Sequence, residues 1–373
     1  MNVLVTGARG FIGKNLVVWL KQRPGLTVFE FDRDDHSQDL MAMLAEADRV
    51  FHLAGVNRPR DEAEFQIGNV DSTVIVCDQL LRLGRSIPIV LASSYQAVLD
   101  NPYGVSKRRA EEVVTRYAEQ SGAPATIYRL KNVFGKWCRP NYNSVVATFC
   151  YNAAHDLPLT ISDPARDLDV VHIDDVIAHF AQDLEDDRSG VSYREVTPSY
   201  RVTLGRLAEL IRSFRQMRQT LFVPDLSDDL TRKLYGTYLA YLEPDDFAYA
   251  LEQKCDPRGC LAEFVKAASF GQLFVSRTAP GVTRGNHYHH AKTEKFLVVE
   301  GEAVIRFRHL LGGEPIEYRV RGEDFRVVDI PPGYTHSIEN VGSGELITLF
   351  WASEVFDPSH PDTQALPVLV SAE

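Results

Sequence analysis

The sequence predicts a doubly wound parallel α/β sheet followed by an all-β antiparallel barrel. Three observations support this prediction: a length of 373 residues, an alternation of short apolar runs with helical segments in the first part, and a series of short alternating strands in the last third. Single hydrophobic cores stop growing at about 250–300 residues, so two domains are expected. We place their boundary near residue 245, which gives domains at 1–245 and 246–373.

The composition is that of an ordinary globular protein, with 45% hydrophobic and 24% charged residues. A net charge of −11 disfavours a broad surface for nucleic acid or anionic membrane, so neither is expected as a partner. The sequence contains neither a long apolar span nor a signal peptide, and we expect a cytoplasmic location. Five cysteines without a CxxC pair are expected to be reduced thiols: Cys77, Cys138, Cys150, Cys255 and Cys260.

The first elements alternate between strands and helices. β-Branched runs bounded by turn formers predict buried strands at 2–5, 27–31, 49–53, 87–91 and 124–129. The longer segments between them predict helices, among them 11–21, 71–83 and 103–120. This alternation is typical of a parallel sheet with helices on both faces.

The pattern changes in the second half of the chain. Beyond residue 140 the alternation fades, although 202–217 and 230–242 keep a helical pattern. After about residue 248, Gly- and Pro-containing turns separate short alternating strands, which favours a sandwich or small barrel. The predicted strands are 272–277, 295–299, 303–308, 317–320, 325–330 and 345–350.

A glycine-rich loop joins the first predicted strand to the first helix. Gly7 and Gly10 permit a tight turn and the close approach of a pyrophosphate, while Gly13 permits close packing of the helix on the sheet. This context predicts a Rossmann-type dinucleotide site, with an ordinary strand–helix turn as the alternative. The glycine spacing and the Lys14-Asn15 pair exclude a nucleoside-triphosphate loop.

The choice between NADP and NAD depends on the end of the second strand. Asp32 stands about 20 residues after the loop, where a carboxylate would bind the ribose 2′-hydroxyl of NAD. Arg33 follows it and Arg9 lies inside the loop, so two guanidinium groups could hold a 2′-phosphate. We therefore expect NADPH, with Asp32 turned to solvent. The alternative is that both arginines are merely exposed.

Tyr103 and Lys107 are one helical turn apart in the segment Tyr-Gly-Val-Ser-Lys, and Ser93 and Ser94 end the fourth strand. The carboxyl edge of such a sheet is where ligands bind. A phenol with a pKa of ~10 is a weak acid at neutral pH unless a cation stabilises its anion, and Lys107 supplies one. Ser94 can bind a substrate carbonyl. The alternative is a solvated helix face.

The first domain resembles the extended short-chain dehydrogenase/reductases. The resemblance rests on Thr6–Gly13, on His52-Leu53-Ala54-Gly55, on Asn69-Val70-Asp71-Ser72-Thr73, and on the serine strand and the Tyr/Lys segment. It implies proton transfer by Ser94, Tyr103 and Lys107 and action on nucleotide-linked sugars. The implied cofactor contacts are Gly7, Arg9, Gly10, Phe11, Ile12, Gly13, Asp32, Arg33, Leu53, Ala54, Gly55, Asn69 and Lys107. The arginine that precedes an Asp-Asp pair in many members is displaced here to Arg166, so the diphosphate contacts stay open.

A second candidate site lies in the C-terminal half. His287 and His289, two apart on an extended strand, point to one side, and Glu294 and His336 can join them. Three imidazoles and a carboxylate suit Zn²⁺, with Fe²⁺ or Mn²⁺ as alternatives. A cluster of merely packed histidines is the other interpretation. Tyr288 and His290 stand beside the set and could replace a ligand or act as a base.

These ligands occupy two motifs of the cupin family. The first is complete at 281–301, and the second is complete at 331–340 apart from the position of its leading glycine. The segments Asp256–Gly259 and 283–287 are also similar to segments of the dTDP-4-dehydrorhamnose epimerases. There Arg258 would contact a phosphate or sugar, unless it only caps a turn.

The pairing of these two domains resembles the CapF/WbjC enzymes of capsule and O-antigen synthesis. The resemblance implies C3 epimerisation of a UDP-4-keto-6-deoxy-N-acetylhexosamine in the cupin domain, followed by NADPH-dependent reduction at C4. The implied product is UDP-2-acetamido-2,6-dideoxy-L-talose, the precursor of UDP-N-acetyl-L-fucosamine. A homodimer is expected. The alternatives are an iron oxygenase fusion and a non-catalytic dimerisation or sugar-sensing cupin module.

Overall fold

The computed structural model describes residues 1–186 and 188–369. A six-stranded parallel sheet of order β2-β1-β3-β4-β5-β8 organises the first part of the chain, and a three-stranded sheet of order β6-β7-β9 follows it. The nine strands are β1 (Asn2–Thr6), β2 (Thr27–Phe31), β3 (Arg49–His52), β4 (Ile89–Ser94), β5 (Ala125–Leu130), β6 (Asn132–Phe134), β7 (Asp167–His172), β8 (Val191–Arg194) and β9 (Tyr200–Thr203).

Helices connect these strands, and a π-helical turn at Gln66–Asp71 joins the third helix to the fourth. The helices are α1 (Phe11–Lys21), α2 (Ser37–Glu46), α3 (Ala63–Phe65), α4 (Ser72–Arg82), α5 (Pro102–Ser121), α6 (Val145–Ala154), α7 (Ile173–Gln182), α8 (Leu204–Thr220) and α9 (Asp229–Leu239).

The parallel sheet is buried on both faces because successive side chains of each strand alternate between two apolar clusters. Leu4 packs in one cluster with Val50, while the neighbouring Val5 packs in the other with Phe51. All four side chains are fully buried. This explains why the strands carry continuous apolar runs.

Antiparallel sheets form the C-terminal part. One has the order β10-β11-β12-β19-β14-β17 and the other β16-β15-β18-β13-β20. Phe296, Ile305, Ile338 and Phe350 belong to the apolar cluster between these strands. The strands are β10 (Gln253–Asp256), β11 (Gly259–Ala267), β12 (Gly271–Thr278), β13 (Thr283–Tyr288), β14 (Glu294–Glu300), β15 (Glu302–His309), β16 (Ile316–Arg321), β17 (Val327–Ile330), β18 (Tyr334–Asn340), β19 (Leu346–Ala352) and β20 (Gln364–Ala365).

The predicted fold class, a doubly wound α/β sheet followed by an all-β domain, is confirmed. The fourth strand lies later than the predicted 87–91 and runs through Ser93 and Ser94. The strand β11 was not predicted, because its apolar residues do not alternate cleanly and a register shift interrupts it between Glu263 and Val265.

The expectation of five reduced cysteines is wrong for two of them. Cys255 and Cys260 form a disulfide, and the three other cysteines are free and buried. The paired cysteines face each other across the hairpin of β10 and β11, with Cα atoms 4.1 Å apart. Cross-strand geometry places the thiols within bonding reach, which the spacing of five residues did not indicate.

The chain divides into two compact units. The first comprises Met1–Arg212 and Arg232–Leu242, and the second comprises Ser213–Thr231 and the described residues from Glu243 onward. The segment Ser213–Thr231 belongs to the second unit although it precedes residue 245 in the chain. A single boundary at 245 does not describe this division. Among the described helices, none is long and apolar enough to cross a membrane.

Candidate active site

The glycine loop packs closely against Leu53 and Ala54, the residues that follow β3. A Cβ added to Gly7 would lie 2.7 Å from the amide nitrogen of Ala54, and one added to Gly13 would lie 2.1 Å from the Gly7 carbonyl oxygen. Gly7 also has a φ of +68°, which a side chain would strain. Helix α1 follows with no acidic residue in its first turn, where Phe11, Ile12 and Gly13 stand. Its N-terminus is therefore suited to an anion.

Asp32 does not turn to solvent as expected. Its carboxylate accepts hydrogen bonds from the backbone amides of Arg9, at 2.8 Å, and Arg33, at 2.9 Å. The Arg9 guanidinium pairs with Asp35 at 3.0 Å, which raises the pKa of Arg9. The Arg33 side chain is 87% exposed, with Asp34 at 3.5 Å. Both guanidinium groups thus stand near the end of β2 at the surface.

Tyr103 and Ser94 come together at the carboxyl end of β4. Tyr103 lies in the first turn of α5, where Asn101 accepts a hydrogen bond from the Gly104 amide as the helix cap. Burial raises the pKa of the Tyr103 phenol, and a side-chain hydrogen bond with Ser94 opposes that shift. The net pKa of Tyr103 is therefore raised, whereas a lowering by Lys107 was expected.

Lys107 is buried next to the same strand end. Its Nζ donates to the backbone carbonyl of Ala92 at 3.0 Å, and it would lie 3.1 Å from a Cβ added to Gly55. Burial lowers the pKa of Lys107 to about 8, although the charge of Glu111 opposes this. Any larger residue at position 55 would therefore press on the ammonium group.

Asn69 fastens the segment after β3. Its Oδ1 accepts from the Val56 amide at 2.8 Å, and its Nδ2 donates to the Val56 carbonyl and to Ser106 Oγ. Leu53 donates its backbone amide to the Thr6 carbonyl at 3.1 Å. These bonds place the Leu53-Ala54-Gly55 segment between the glycine loop and the helix that bears Lys107.

The Asp-Asp pair of the first unit is engaged by lysines. Asp174 pairs with Lys136 at 2.5 Å, and Asp175 pairs with Lys233 at 2.8 Å. Lys233 also donates to the Tyr200 hydroxyl at 2.7 Å. The Arg166 side chain takes no part in these contacts. The diphosphate-binding role that an arginine has in many members of the family is therefore not assigned to Arg166.

The predicted metal ligands gather in the second unit. Among the described residues, one ligand atom from each of four side chains lies within 4.8 Å of the others: His287, His289, Glu294 and His336. The His287 ring lies 4.6 Å from that of His336 and 5.0 Å from that of His289. Asn286 has a positive φ, and the pairing of β13 with β18 shifts register between Gly285 and His287. His289 lies just past the end of β13.

The donor set of this cluster suits a divalent metal. Nε2 of His289 and both ring nitrogens of His336 are buried without a hydrogen bond. Both Nε2 atoms nevertheless face Glu294 Oε2, at 3.3 Å and 3.4 Å. Burial raises the pKa of the Glu294 carboxyl, but the two imidazoles outweigh it and the net pKa is lowered. Burial lowers the pKa of His287 to about 4, so the imidazole is neutral and available as a ligand near pH 7.

Two neighbouring residues were missed by the sequence analysis. Asp362 accepts hydrogen bonds from three successive backbone amides of the loop after His289, which lowers the pKa of its carboxyl. Its backbone carbonyl accepts from Nδ1 of His289. Lys292, which is buried, donates to Thr363 at 3.2 Å. Neither residue belongs to a motif.

Three other candidate site residues do not belong to the four-ligand cluster. His290 is exposed, and the Tyr288 ring stands edge-on to it at 5.3 Å. Arg258 forms an ion pair with Asp256 at 2.6 Å, and its amide donates to the same carboxylate. This is the turn-capping alternative that the sequence analysis left open for Arg258.

Comparison with known proteins adds to this geometry. Residues 3–197 match the model of the NAD dependent epimerase/dehydratase family, which is more than half of the chain. The chain belongs to this family. Residues 254–364 match the polysaccharide biosynthesis C-terminal domain. The family match covers the glycine loop, β4 and the Tyr103–Lys107 turn.

Relatives and solved structures extend the similarity to the whole chain. The UDP-2-acetamido-2,6-beta-L-arabino-hexul-4-ose reductase of Pseudomonas aeruginosa is 45% identical over 368 residues, 99% of each chain. The capsular polysaccharide assembling protein CapF from Staphylococcus aureus is 45% identical, with a TM-score of 0.92 and coverage of 99% of this chain and 100% of that one. The predicted resemblance to CapF-type enzymes is confirmed.

A more distant solved structure shares part of the fold. The UDP-glucuronic acid 4-epimerase from Bacillus cereus has a TM-score of 0.53 at 21% identity and covers 65% of this chain and 98% of that one.

Proposed function

We propose that the chain is a bifunctional sugar-nucleotide enzyme. The second unit epimerises C3 of a UDP-4-keto-6-deoxy-N-acetylhexosamine, and the first unit then reduces its C4 ketone. The product is UDP-2-acetamido-2,6-dideoxy-L-talose, on the route to UDP-N-acetyl-L-fucosamine for capsule or O-antigen polysaccharide. The observation that carries the proposal is the 45% identity to a UDP-sugar 4-ketone reductase over 99% of both chains.

The reductase half uses Ser94, Tyr103 and Lys107. Bound NADPH supplies the hydride that reaches C4. Ser94 binds the ketone oxygen, and Tyr103 donates its phenolic proton to that oxygen as negative charge develops on it. Lys107, held against the Ala92 carbonyl, binds the cofactor ribose and stabilises the tyrosinate that remains.

The cofactor contacts support NADPH over NADH. Asp32 is already occupied by the backbone amides of Arg9 and Arg33, which leaves it poorly placed to bind a ribose 2′-hydroxyl. The exposed guanidinium of Arg33 and that of Arg9 can meet a 2′-phosphate. Arg33→Ala should raise the Kd of NADPH at least about tenfold and leave that of NADH unchanged, since it removes one charged hydrogen-bonding partner. Equal losses for the two cofactors would refute this selectivity.

In the proposed epimerase half, C3 of the sugar and its acidic proton lie near the histidine cluster. The C3 proton lies next to the C4 ketone and is removable once the enolate is stabilised. Zn²⁺ held by His287, His289, Glu294 and His336 would polarise that ketone as a Lewis acid. Three strands or strand ends supply these ligands, so a bound ion would also tie β13, β14 and β18 together.

Extended reductases commonly form dimers, and so do cupins. We therefore propose that this protein is a homodimer and that it acts in the cytoplasm. The mass of the native particle by light scattering tests the first point: twice 41.9 kDa is expected.

The two activities are separable by proton NMR in D₂O. The UDP-4-keto-6-deoxy-N-acetylhexosamine is incubated with the protein, first without and then with NADPH. Deuterium at C3 before NADPH is added, followed by reduction at C4, is the expected result. Reduction without exchange would leave a plain sugar-nucleotide reductase with a non-catalytic cupin module. Iron in the unchelated protein together with oxygen consumption would instead support an oxygenase.

A further inference from the structure

Glu111 lies in a buried polar network that the proposed reductase mechanism does not use. The residue belongs to α5 and is 2% exposed. Its Oε1 accepts a hydrogen bond from Ser93 Oγ at 2.5 Å. Arg129 of β5 binds both carboxylate oxygens, through Nε at 3.1 Å and Nη2 at 2.7 Å. A buried carboxylate is costly unless it is paired in this way, so the network requires an explanation.

The network joins α5 to the strand end that carries the proposed serine. Three residues of α5, each one helical turn from the next, contact three successive residues of β4. The contacts join Tyr103 to Ser94, Lys107 Nζ to the Ala92 carbonyl, and Glu111 to Ser93.

The charge of Glu111 also acts on Lys107. Burial favours the neutral amine at Lys107, and the negative charge of Glu111 opposes this. His52 faces Lys107 from β3 and is neutral near pH 7, because burial and the Lys107 charge lower its pKa to about 3. From β5 and β8 come Arg129 and Tyr193, with the guanidinium 4.8 Å from the ring centre. Of these groups, Glu111 is the carboxylate, and it forms an ion pair with Arg129 at 2.7 Å.

We propose that Glu111 is a positioning residue of the reductase site. Its carboxylate is the counter-charge that keeps Lys107 an ammonium ion in a buried place, and its bond to Ser93 fixes the strand end beneath Ser94. Arg129 in turn holds the carboxylate in position. This inference rests on the proposed roles of Tyr103 and Lys107 in reduction.

The test compares two substitutions that break the same ion pair from opposite sides. Glu111→Gln removes the negative charge, and Arg129→Gln removes the positive one and leaves Glu111 to act on Lys107 alone. For each variant, kcat/KM for NADPH oxidation with the UDP-4-keto sugar is measured from about pH 6 to about pH 10. This range brackets the lowered pKa of Lys107, about 8. NADPH affinity is measured by fluorescence over the same range.

The two variants should shift the alkaline limb of the profile in opposite directions. Glu111→Gln moves the limb down by about one pH unit, because the Tyr103–Lys107 pair loses a neighbouring anion. Arg129→Gln moves it upward. A purely structural role predicts a similar loss of activity in both variants with the limb unmoved, and that result would overturn the proposal.

Two further readouts keep the test decisive. If Glu111→Gln does not fold, the upward shift in Arg129→Gln alone decides, and its absence refutes the proposal. If the wild-type protein binds NADPH but does not reduce the sugar, the proposed function fails. The pH dependence of NADPH affinity then still tests Glu111, through the binding of Lys107 to the cofactor ribose.

Discussion

Nδ1 of His289 donates a hydrogen bond to the backbone carbonyl of Asp362, while Nε2 of the same ring faces Glu294 at 3.3 Å. A carbonyl can only accept, so Nδ1 carries the proton of this bond, and Nε2 is the ring nitrogen that faces the proposed metal ligand Glu294. The Asp362 carboxylate also binds the backbone amides of the loop that follows, those of His290, Ala291 and Lys292. A residue far along the chain therefore orients one proposed metal ligand.

Asp362→Ala should weaken metal binding without removing a ligand. The loop of residues 290–292 loses its shared acceptor, so the Asp362 carbonyl that accepts from His289 Nδ1 is held less firmly, and affinity for Zn²⁺ should fall about 10–100-fold. Competition with a chromophoric chelator measures this directly. Asp357→Ala is the control, since within the described part of the chain the Asp357 carboxylate bonds inside its own turn, to Ser359 and His360. Equal affinities in the two variants would contradict the role given to Asp362.

Sequence patterns predicted those features whose spacing is local. The Tyr103–Lys107 pair follows from one helical turn, and the glycine loop follows from its place between a strand and a helix. Asp362 and Glu111 were not predicted, because their functions depend on partners that only the folded chain brings near. The His289–Asp362 contact spans 73 residues and belongs to no motif.

The chemistry of individual groups was the least predictable from the sequence. Lys107 was expected to lower the pKa of Tyr103, yet burial raises it. Cys255 and Cys260 likewise gave no signal of pairing, because their cross-strand register is a property of the hairpin. Spacing identifies which residues can meet, whereas burial and register determine their state.

Tyr103→Phe should abolish reduction at C4 while deuterium exchange at C3 continues. The variant keeps the ring contact with Phe65, at 5.7 Å between centroids, but has no proton to donate. Loss of a positioned acid costs about 10²–10⁴-fold in rate. NADPH oxidation and proton NMR in D₂O measure the two activities separately. Tyr151→Phe is the matched control, because Tyr151 lies in α6 and its ring stacks on His155, which follows the helix. Normal NADPH oxidation by Tyr103→Phe would disprove the assignment.

His52 should make the stability of the first unit sensitive to acid. Its ring is buried between Thr6 and Thr73, and burial lowers its pKa from 6.5 to about 3. Between pH 6.5 and about pH 3, His52 therefore binds a proton in the unfolded chain but not in the folded chain. The contribution of this group is complete above pH 6.5 and is lost as the pH falls toward 3, by at most about 1.4 kcal/mol per pH unit.

Urea unfolding of the wild-type protein and of His52→Gln at pH 7 and pH 5 tests this dependence. The variant is expected to be less stable at pH 7 but to lose less stability on acidification. His360→Gln is the control because the His360 side chain is 86% exposed. A wild-type slope in His52→Gln would show that other groups carry the acid sensitivity.

The Cys255–Cys260 disulfide should make a modest contribution to the stability of the second unit. The bridge closes a loop with a sequence separation of 5, and the loss of so short a cross-link costs about 2 kcal/mol. Reducing agent should lower the unfolding temperature of the wild-type protein and have no effect on the Cys255→Ser/Cys260→Ser double variant. Alkylation under denaturing conditions provides an independent count. Mass spectrometry should find three labelled cysteines before reduction and five after it. Five labelled cysteines in unreduced protein would mean that the hairpin holds two free thiols.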